Sequence, residues 1–292
     1  MKSNTLKNTN TLVLLLPWLI TLIVFWLYPL GFAVFMSFTK YQTLTNSFQY
    51  IGFENYFNIF KDEIFWKALF NTSFFTLGTV PVTTLSSLIL ASILNSKVVK
   101  FKELFRASYF LPSVTSLVVI SLIFTNLYAK DGYVNSLFIM LGIPPSDLGF
   151  LQNPTTSLLA IMFMDVWISI GYYVVLFLAG MQTIPQDLYD AAKLSGASPV
   201  QQFFRVTIPM LRPTLLFVIV INTIKSFQIF VEIFVMTKGG PLNSTMTLVY
   251  QVYINAFEKT DTMGYASALA LLVFLFLIVF SLIQMKLLSW NR

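Results

Sequence analysis

Hydrophobic and polar positions fall in blocks along this chain. A helix needs about 20 mostly apolar residues to cross the hydrocarbon core of a bilayer, so windows free of charge locate candidate spans. No Lys, Arg, Asp or Glu lies between Lys7 and Lys40, Lys67 and Lys97, Arg106 and Lys130, or Asp261 and Lys286. These windows predict membrane helices over 11–36, 68–95, 107–128 and 264–285. Two more apolar windows carry internal charges: 156–180 holds Asp165, and 213–237 holds Lys225 and Glu232. The pattern therefore predicts an all-α membrane protein with six transmembrane helices. The longest segments between spans are 37–67, 129–155, 181–212 and 238–263, none of them the size of a soluble domain.

Composition agrees and removes whole classes of function. The chain is 57% AVILMFWYC and only 10% charged, against roughly 45–50% on a similar set and about 25% in soluble domains. With no His and no Cys among 292 residues, it cannot build a Ser-His-Asp triad, a thiolate nucleophile, a disulfide framework or a His- or Cys-ligated metal site. Its net charge of +6 is spread along the chain rather than clustered, which argues against nucleic acid and for a topology signal.

Orientation follows from the cations, which concentrate on the cytoplasmic side of membrane proteins. With the N-terminus inside, the inner segments hold eleven: Lys2, Lys7, Lys97, Lys100, Lys102, Arg106, Lys193, Arg205, Arg212, Lys286 and Arg292. The outer segments hold six: Lys40, Lys61, Lys67, Lys130, Lys238 and Lys259. Both termini are expected in the cytoplasm. The first apolar run exceeds the 7–15 residues of a signal peptide and has no small-residue cleavage site, so it is expected to stay as a span.

The segment Met181 to Arg212 is punctuated like two short helices. Pro185, Gln186 and Asp187 suit a first helical turn, where proline's missing N–H costs nothing and an acid faces the positive end of the helix dipole. Gly196 would end that helix in the left-handed conformation. Ser198 and Pro199 read as an N-cap and first-turn proline of a second helix, which Pro209 is expected to end. Ala191, Ala192, Ser195, Gly196 and Ala197 put small side chains together beside Leu188, Tyr189 and Leu194. The bland reading, a helical hairpin packed on the membrane surface, stands level with a knob that docks a partner.

Spacing breaks that tie. Asp190-Ala191-Ala192, three residues, Gly196, nine residues and Val206-Thr207-Ile208-Pro209 resemble the EAA signature of membrane subunits of ATP-binding-cassette importers, with Asp in place of Glu, and Val206 and Ile208 in place of Ile and Leu. Ile51 to Tyr56, Phe105-Arg106 with Phe110-Leu111-Pro112, Asp165-Val166-Trp167 and Thr237 to Pro241 are similar to carbohydrate-importer permeases of the maltose and multiple-sugar type, and Thr237 to Pro241 resembles their first-type subunit. The resemblance implies a type I importer permease fold with cytoplasmic coupling helices. Residues 1–66 would form the N-terminal tail, first span and external segment, 67–288 the permease core and 289–292 a cytoplasmic tail. It also implies a bacterial inner-membrane location and an ATPase-coupling surface at Leu188, Asp190, Ala191, Ala192, Ser195 and Gly196. The implied partners are a second six-helix permease, two cytoplasmic ATPase subunits that use ATP and Mg, an extracytoplasmic binding protein and a carbohydrate. Gly239, Gly240 and Pro241 would contact the binding protein, although their bland reading is an ordinary turn.

Charges inside spans cost about 2.5–3.5 kcal/mol each near the centre. Asn222, Lys225, Gln228 and Glu232 recur every three to four residues, along one helical face, and Asp165 sits at comparable depth on the neighbouring span. An interhelical ion pair or hydrogen-bond network is favoured about two to one over direct substrate contact; the two are compatible, and these five residues are candidates for a translocation pathway. No Gly-x-x-x-x-Gly-Lys-Ser/Thr loop is present, so energy must come from another subunit. An ion-coupled secondary transporter is the main rival, because lone membrane carboxylates often bind protons or cations. An intramembrane protease would lack its His or its matched pair of carboxylates. Within the importer class, glycerol 3-phosphate is the alternative to a neutral sugar, and Lys225 is the only cation available in a span to meet a phosphate.

Overall fold

The computed structural model describes residues 14–42, 47–96 and 99–288. Lys2, Lys7, Lys97, Arg292 and the tail 289–292 lie outside them. Among the described residues, five helices are long and apolar enough to cross a membrane, or six if one bent pair is counted as a span. They are α1 (Leu14–Ser37), α3 (Glu63–Asn95), the pair α4 (Lys102–Val114) and α5 (Leu117–Leu127), α7 (Ser157–Gln182), the broken span Arg212–Met236, and α14 (Met263–Leu288). Shorter helices are α2 (Glu54–Lys61), α6 (Tyr133–Met140), α8 (Gln186–Leu194), α9 (Pro199–Gln202), α10 (Ile208–Met210) and α13 (Leu248–Tyr253).

The chain divides into two compact units, Met1–Asp62 with Gln251–Phe274, and Glu63–Tyr250 with Leu275–Arg292. In the first, α1 leads into an antiparallel hairpin of β1 (Thr39–Gln42) and β2 (Ser47–Tyr50), which the apolar pattern did not indicate. Phe48 of β2 turns back onto Phe35 of α1, with ring centroids 5.8 Å apart. Asn55 of α2 donates to the carbonyls of Ser37 and Thr39 at 2.9 and 3.0 Å, and Tyr56 to the hydroxyl of Ser37 at 2.8 Å. The Ile51–Tyr56 sequence thus serves to tie the end of the first span to the hairpin.

In the second unit α3, α4 and α11 (Arg212–Phe227) all pack on α7, and α3 also packs on α4 and on α11, while α5 packs against α12 (Val231–Met236). Its core includes Leu88, Ala91 and Leu94 of α3, Tyr173, Phe177 and Met181 of α7, and Leu211 and Val218. That core lies at the end of the helices from which α8 projects.

Two windows read as single helices are interrupted. The window 107–128 is two helices that meet at 95° across Thr115 and Ser116. Pro112 has no N–H to give, which weakens the last turn of α4, and hydroxyls occupy its last carbonyls: Ser113 donates to Phe110 (2.7 Å) and Thr115 to Leu111 (2.8 Å). The window 213–237 breaks at Gln228–Phe230, between α11 and α12. Asn222, Lys225, Gln228 and Glu232 therefore do not form one continuous stripe.

Helix α7 crosses α4 with backbones in near contact, because a Cβ added at Gly171 would overlap the carbonyl of Tyr109. Gly171→Ala is expected to lower stability by about 1–3 kcal/mol, the usual cost of overpacking. Gly31→Ala, where a Cβ meets nothing within 4 Å, serves as the neutral control. Thermal unfolding of the two variants in the same detergent checks this, and equal midpoints would contradict the close crossing.

Candidate functional site

The in-span charges are partly gathered. Lys225 Nζ, in the last turn of α11, donates to Asp165 Oδ1 at 3.0 Å and to Ser169 Oγ at 2.6 Å, both on α7. This is the interhelical pair read from the sequence. Asp165 is buried, whereas the Lys225 side chain is 43% exposed. The lysine faces a cleft of about 290 Å³ at the α4–α5 bend, lined by Ser113, Thr115, Ser169, Tyr172, Tyr173 and Lys225 among others.

The other candidates separate. Asn222 is fully buried and belongs to a second network, in which Thr79 of α3 donates to Ser226 (3.2 Å) and Ser226 lies 3.5 Å from Asn222 Oδ1. Glu232 is buried in the first turn of α12. Gln228 falls on the break and is exposed. Two buried atoms, Asp165 Oδ2 and Asn222 Nδ2, have no hydrogen-bond partner among the described residues. Ser113, Thr115 and Ser169 were not singled out from sequence, because hydroxyls are common in spans and only the bend brings these together.

The 181–212 segment folds into a capped knob. Gln186 to Leu194 is helical, with Pro185 as the N-cap residue, one position before its expected place. Gly196 has φ +77°, its N–H donates to Lys193 O (2.9 Å), and that of Ala197 donates to Ala192 O (2.9 Å). That pair of bonds is the Schellman ending. Ser198 and Gln201 form a reciprocal capping box, which satisfies two backbone donors at once. Tyr189, Phe203, Val206 and Ile208 pack inward on the core, while Leu188, Leu194, Val200 and Phe204 are exposed. The small residues Ala191, Ser195 and Gly196 are exposed too, and Asp190 accepts from Gln186 and Lys193 on the helix surface.

Contrary to the expectation from sequence, Pro209 does not end the second helix. The helical path runs from Pro199 to Met210 through a π-helical turn, Phe203–Thr207, closed by Ile208 N–H to Phe203 O. A π turn places one more residue per turn than an α-helix, and Pro209, which has no N–H to donate, sits directly after it. The path breaks instead at Leu211, after which α11 begins.

Thr237 to Pro241 forms a pinned loop. Gly239 is buried at φ +79°, where an added Cβ would meet Met246 and the ring of Tyr250. Thr245 donates to Gly240 O at 2.7 Å, and Asn71 of α3 donates to the carbonyls of Asn243 and Met246, both at 2.9 Å. Gly239 is thus held for packing, and the exposed tip of the loop is Leu242, 86% exposed.

Residues 83–289 match the family described as "Binding-protein-dependent transport system inner membrane component". This chain belongs to that family. It is similar to the lactose transport system permease protein LacF of Rhizobium radiobacter, 33% identical over 279 residues, covering 95% of this chain and 93% of the relative. It is also similar to the arabinooligosaccharides transport system permease protein AraP of Bacillus subtilis, 32% identical over 274 residues, covering 93% and 86%. In fold it matches a chain from the crystal structure of a bacterial ABC transporter involved in import of the acidic polysaccharide alginate. The TM-score is 0.85 over 98% of this chain and 97% of that one, at 19% identity. The permease is therefore an importer subunit of type I fold and not itself an enzyme, and the secondary-transporter and protease readings fall.

Breaking a fully buried ion pair costs about 3–5 kcal/mol, and less here because Lys225 is partly solvated. In the permease, Lys225→Met strands Asp165 in a buried site and is expected to lower folded yield. The double variant with Asp165→Asn is expected to recover it. Size-exclusion profiles of detergent extracts check this; a single variant as well behaved as wild type would show that the pair carries no such cost.

Proposed function

We propose that the permease is one half of a heterodimeric membrane core in a bacterial inner membrane, importing a carbohydrate captured outside by a binding protein, with both termini cytoplasmic. The observation that carries the mechanism is the knob at 185–210. It is capped at both helix ends, seated on the core through Tyr189, and turns small and apolar side chains outward. Leu188, Asp190, Ala191, Ala192, Ser195 and Gly196 fit a surface that seats in a groove on a cytoplasmic ATPase, where ATP and Mg act on the partner. Rigidity matters, since a knob that frayed under load would dissipate the movement it receives.

The sugar reading is supported by what the relatives' names say they carry, lactose and arabinooligosaccharides, and by the chemistry of the cleft. Its only cation is already held by Asp165 and Ser169, and its other polar groups are hydroxyls, set among the tyrosine rings and Leu117, Ile168 and Ile221. That lining suits an uncharged polyol better than glycerol 3-phosphate, whose phosphate would have to displace Asp165. The unpartnered Asp165 Oδ2 would extend a hydrogen-bonding path with Lys225 in the cleft; Asn222, Gln228 and Glu232, which do not line it, would act elsewhere along the route. Gly239, Gly240 and Pro241 would shape the external loop against the binding protein, with Leu242 at its tip.

Two measurements test this. The assembled complex is expected to show ATPase stimulation by a binding protein loaded with a neutral mono- or oligosaccharide, and stimulation confined to glycerol 3-phosphate would overturn the sugar assignment. Gly196 has open space around it but a left-handed backbone that disfavours any side chain. Gly196→Arg is expected to leave the protein inserted and assembled while transport falls at least tenfold relative to ATP hydrolysed. Normal transport per ATP by that variant would remove the docking role of the knob.

A further inference from the structure

We propose that the hydrogen bond between Tyr189 and Thr207 is the positioning link that carries movement of α8 into α11 and the Lys225 cleft. The inference rests on the reading of α8 as the helix that meets the ATPase.

The two hydroxyl oxygens are 3.0 Å apart, half-buried, and join residues 18 apart in the chain. Tyr189 sits on the inward side of α8, opposite the exposed Leu188 and Leu194. Its ring belongs to an apolar layer with Phe203, Val206 and Ile208, and apolar contacts of that kind are non-directional. The hydrogen bond is directional, so it sets the register in which α8 sits on the segment behind it.

Its other end is well placed to pass movement on. Thr207 is buried and is the last residue of the π-helical turn. From Thr207 the backbone bonds continue: its carbonyl accepts from Leu211 N–H at 2.9 Å, and the carbonyl of Leu211 from Leu215 N–H at 2.8 Å, inside α11. Helix α11 ends in the turn that holds Lys225. A hydroxyl on α8 is thus connected to the lysine in the cleft by one side-chain bond, backbone bonds that bridge the break at Leu211, and α11 itself. The covalent route from α8 to Thr207 passes instead through the π turn, a wider turn of a kind that recurs at functional sites. Without Tyr189 holding its last residue, α8 could shift while the π turn took up the displacement and α11 stayed still.

The permease has no cysteine, so single introduced thiols report cleanly. Leu194→Cys on α8 (91% exposed) and Phe217→Cys on α11 (51% exposed) would each carry an environment-sensitive fluorophore in the full complex with partner permease and ATPase subunits, in nanodiscs. The probe is MgATP with orthovanadate. Both labels are expected to respond in the otherwise wild-type complex. In Tyr189→Phe and in Thr207→Val the label at 194 should still respond, while the response at 217 falls about fivefold, the ratio set by a hydrogen bond of about 1 kcal/mol. Thr207→Ser, which keeps the hydroxyl, should retain the full response at 217. An undiminished response at 217 in Tyr189→Phe, or its loss in Thr207→Ser, overturns the link while leaving docking intact. A label at 194 that is silent in the wild-type complex overturns the docking reading, and the link with it.

Discussion

Lipid offers no hydrogen bonds, so a helix can be interrupted within a membrane only where the protein itself takes up the freed backbone groups. This constraint organises the middle of the permease. At the α4–α5 bend, Ser113 and Thr115 turn their hydroxyls onto the last carbonyls of α4. At the α11–α12 break, Lys225 occupies the last turn of one helix and Glu232 the first turn of the next. A cation at a C-terminus and an acid at an N-terminus each complement the partial charge exposed there. Two charges that look extravagant in a continuous span are therefore in keeping with a broken one. The same bend and the same helix end frame the cleft that Lys225 faces.

This explains what could be read from sequence and what could not. Apolar windows depend only on which residues enter lipid: charge-free ones located α1, α3 and α14 closely, and the one holding Asp165 located α7. They are blind to bends, since Ser113 to Ser116 fit an apolar window whether the helix continues or turns. The stripe from Asn222 to Glu232 failed for the same reason: helical periodicity assumes an unbroken helix, and Gln228–Phe230 breaks it. The hairpin at Thr39–Tyr50 was silent because its strands are only four residues each and held by Phe48 and Asn55, contacts that no local pattern encodes. The knob was legible because its determinants are local. Gly196, Ser198, Pro199 and Gln201 each act within a turn of their own position. Pro209 misled because the π turn before it let the helical path run one residue past the proline, a response that depends on tertiary packing.

Local and long-range determinants also divide the loops by mechanical character. Asn71 lies inside α3 and reaches two carbonyls of the 237–247 segment, while Thr72 accepts from Leu248 N–H at 3.0 Å and Ser157 pairs with Ser244 at 2.8 Å. A loop tied to two different helices moves only as they move. The knob at 185–210 is the converse case. Its internal caps make it stiff, yet it meets the rest of the protein through an apolar layer and few polar ties, so it can be displaced as a body.

A subunit without His, Cys or a nucleotide-binding loop can do work only by changing shape, and its structure shows where shape change is cheap. Moving the knob disturbs mainly non-directional contacts with the core, while the Tyr189–Thr207 bond fixes how α8 sits on the rest of the knob. Moving the end of α11 is dearer, because Lys225 would leave the buried Asp165 carboxylate with no cation, only the 3.4 Å bond from Ser169 on Oδ1 and nothing on Oδ2. A substrate hydroxyl able to donate to that carboxylate lowers the cost of the second movement, whereas an anion raises it. On the function proposed above, the ion pair would do more than stabilise the resting fold: it would make displacement of α11 depend on what occupies the cleft, so that a partner's ATP drives transport rather than idle motion.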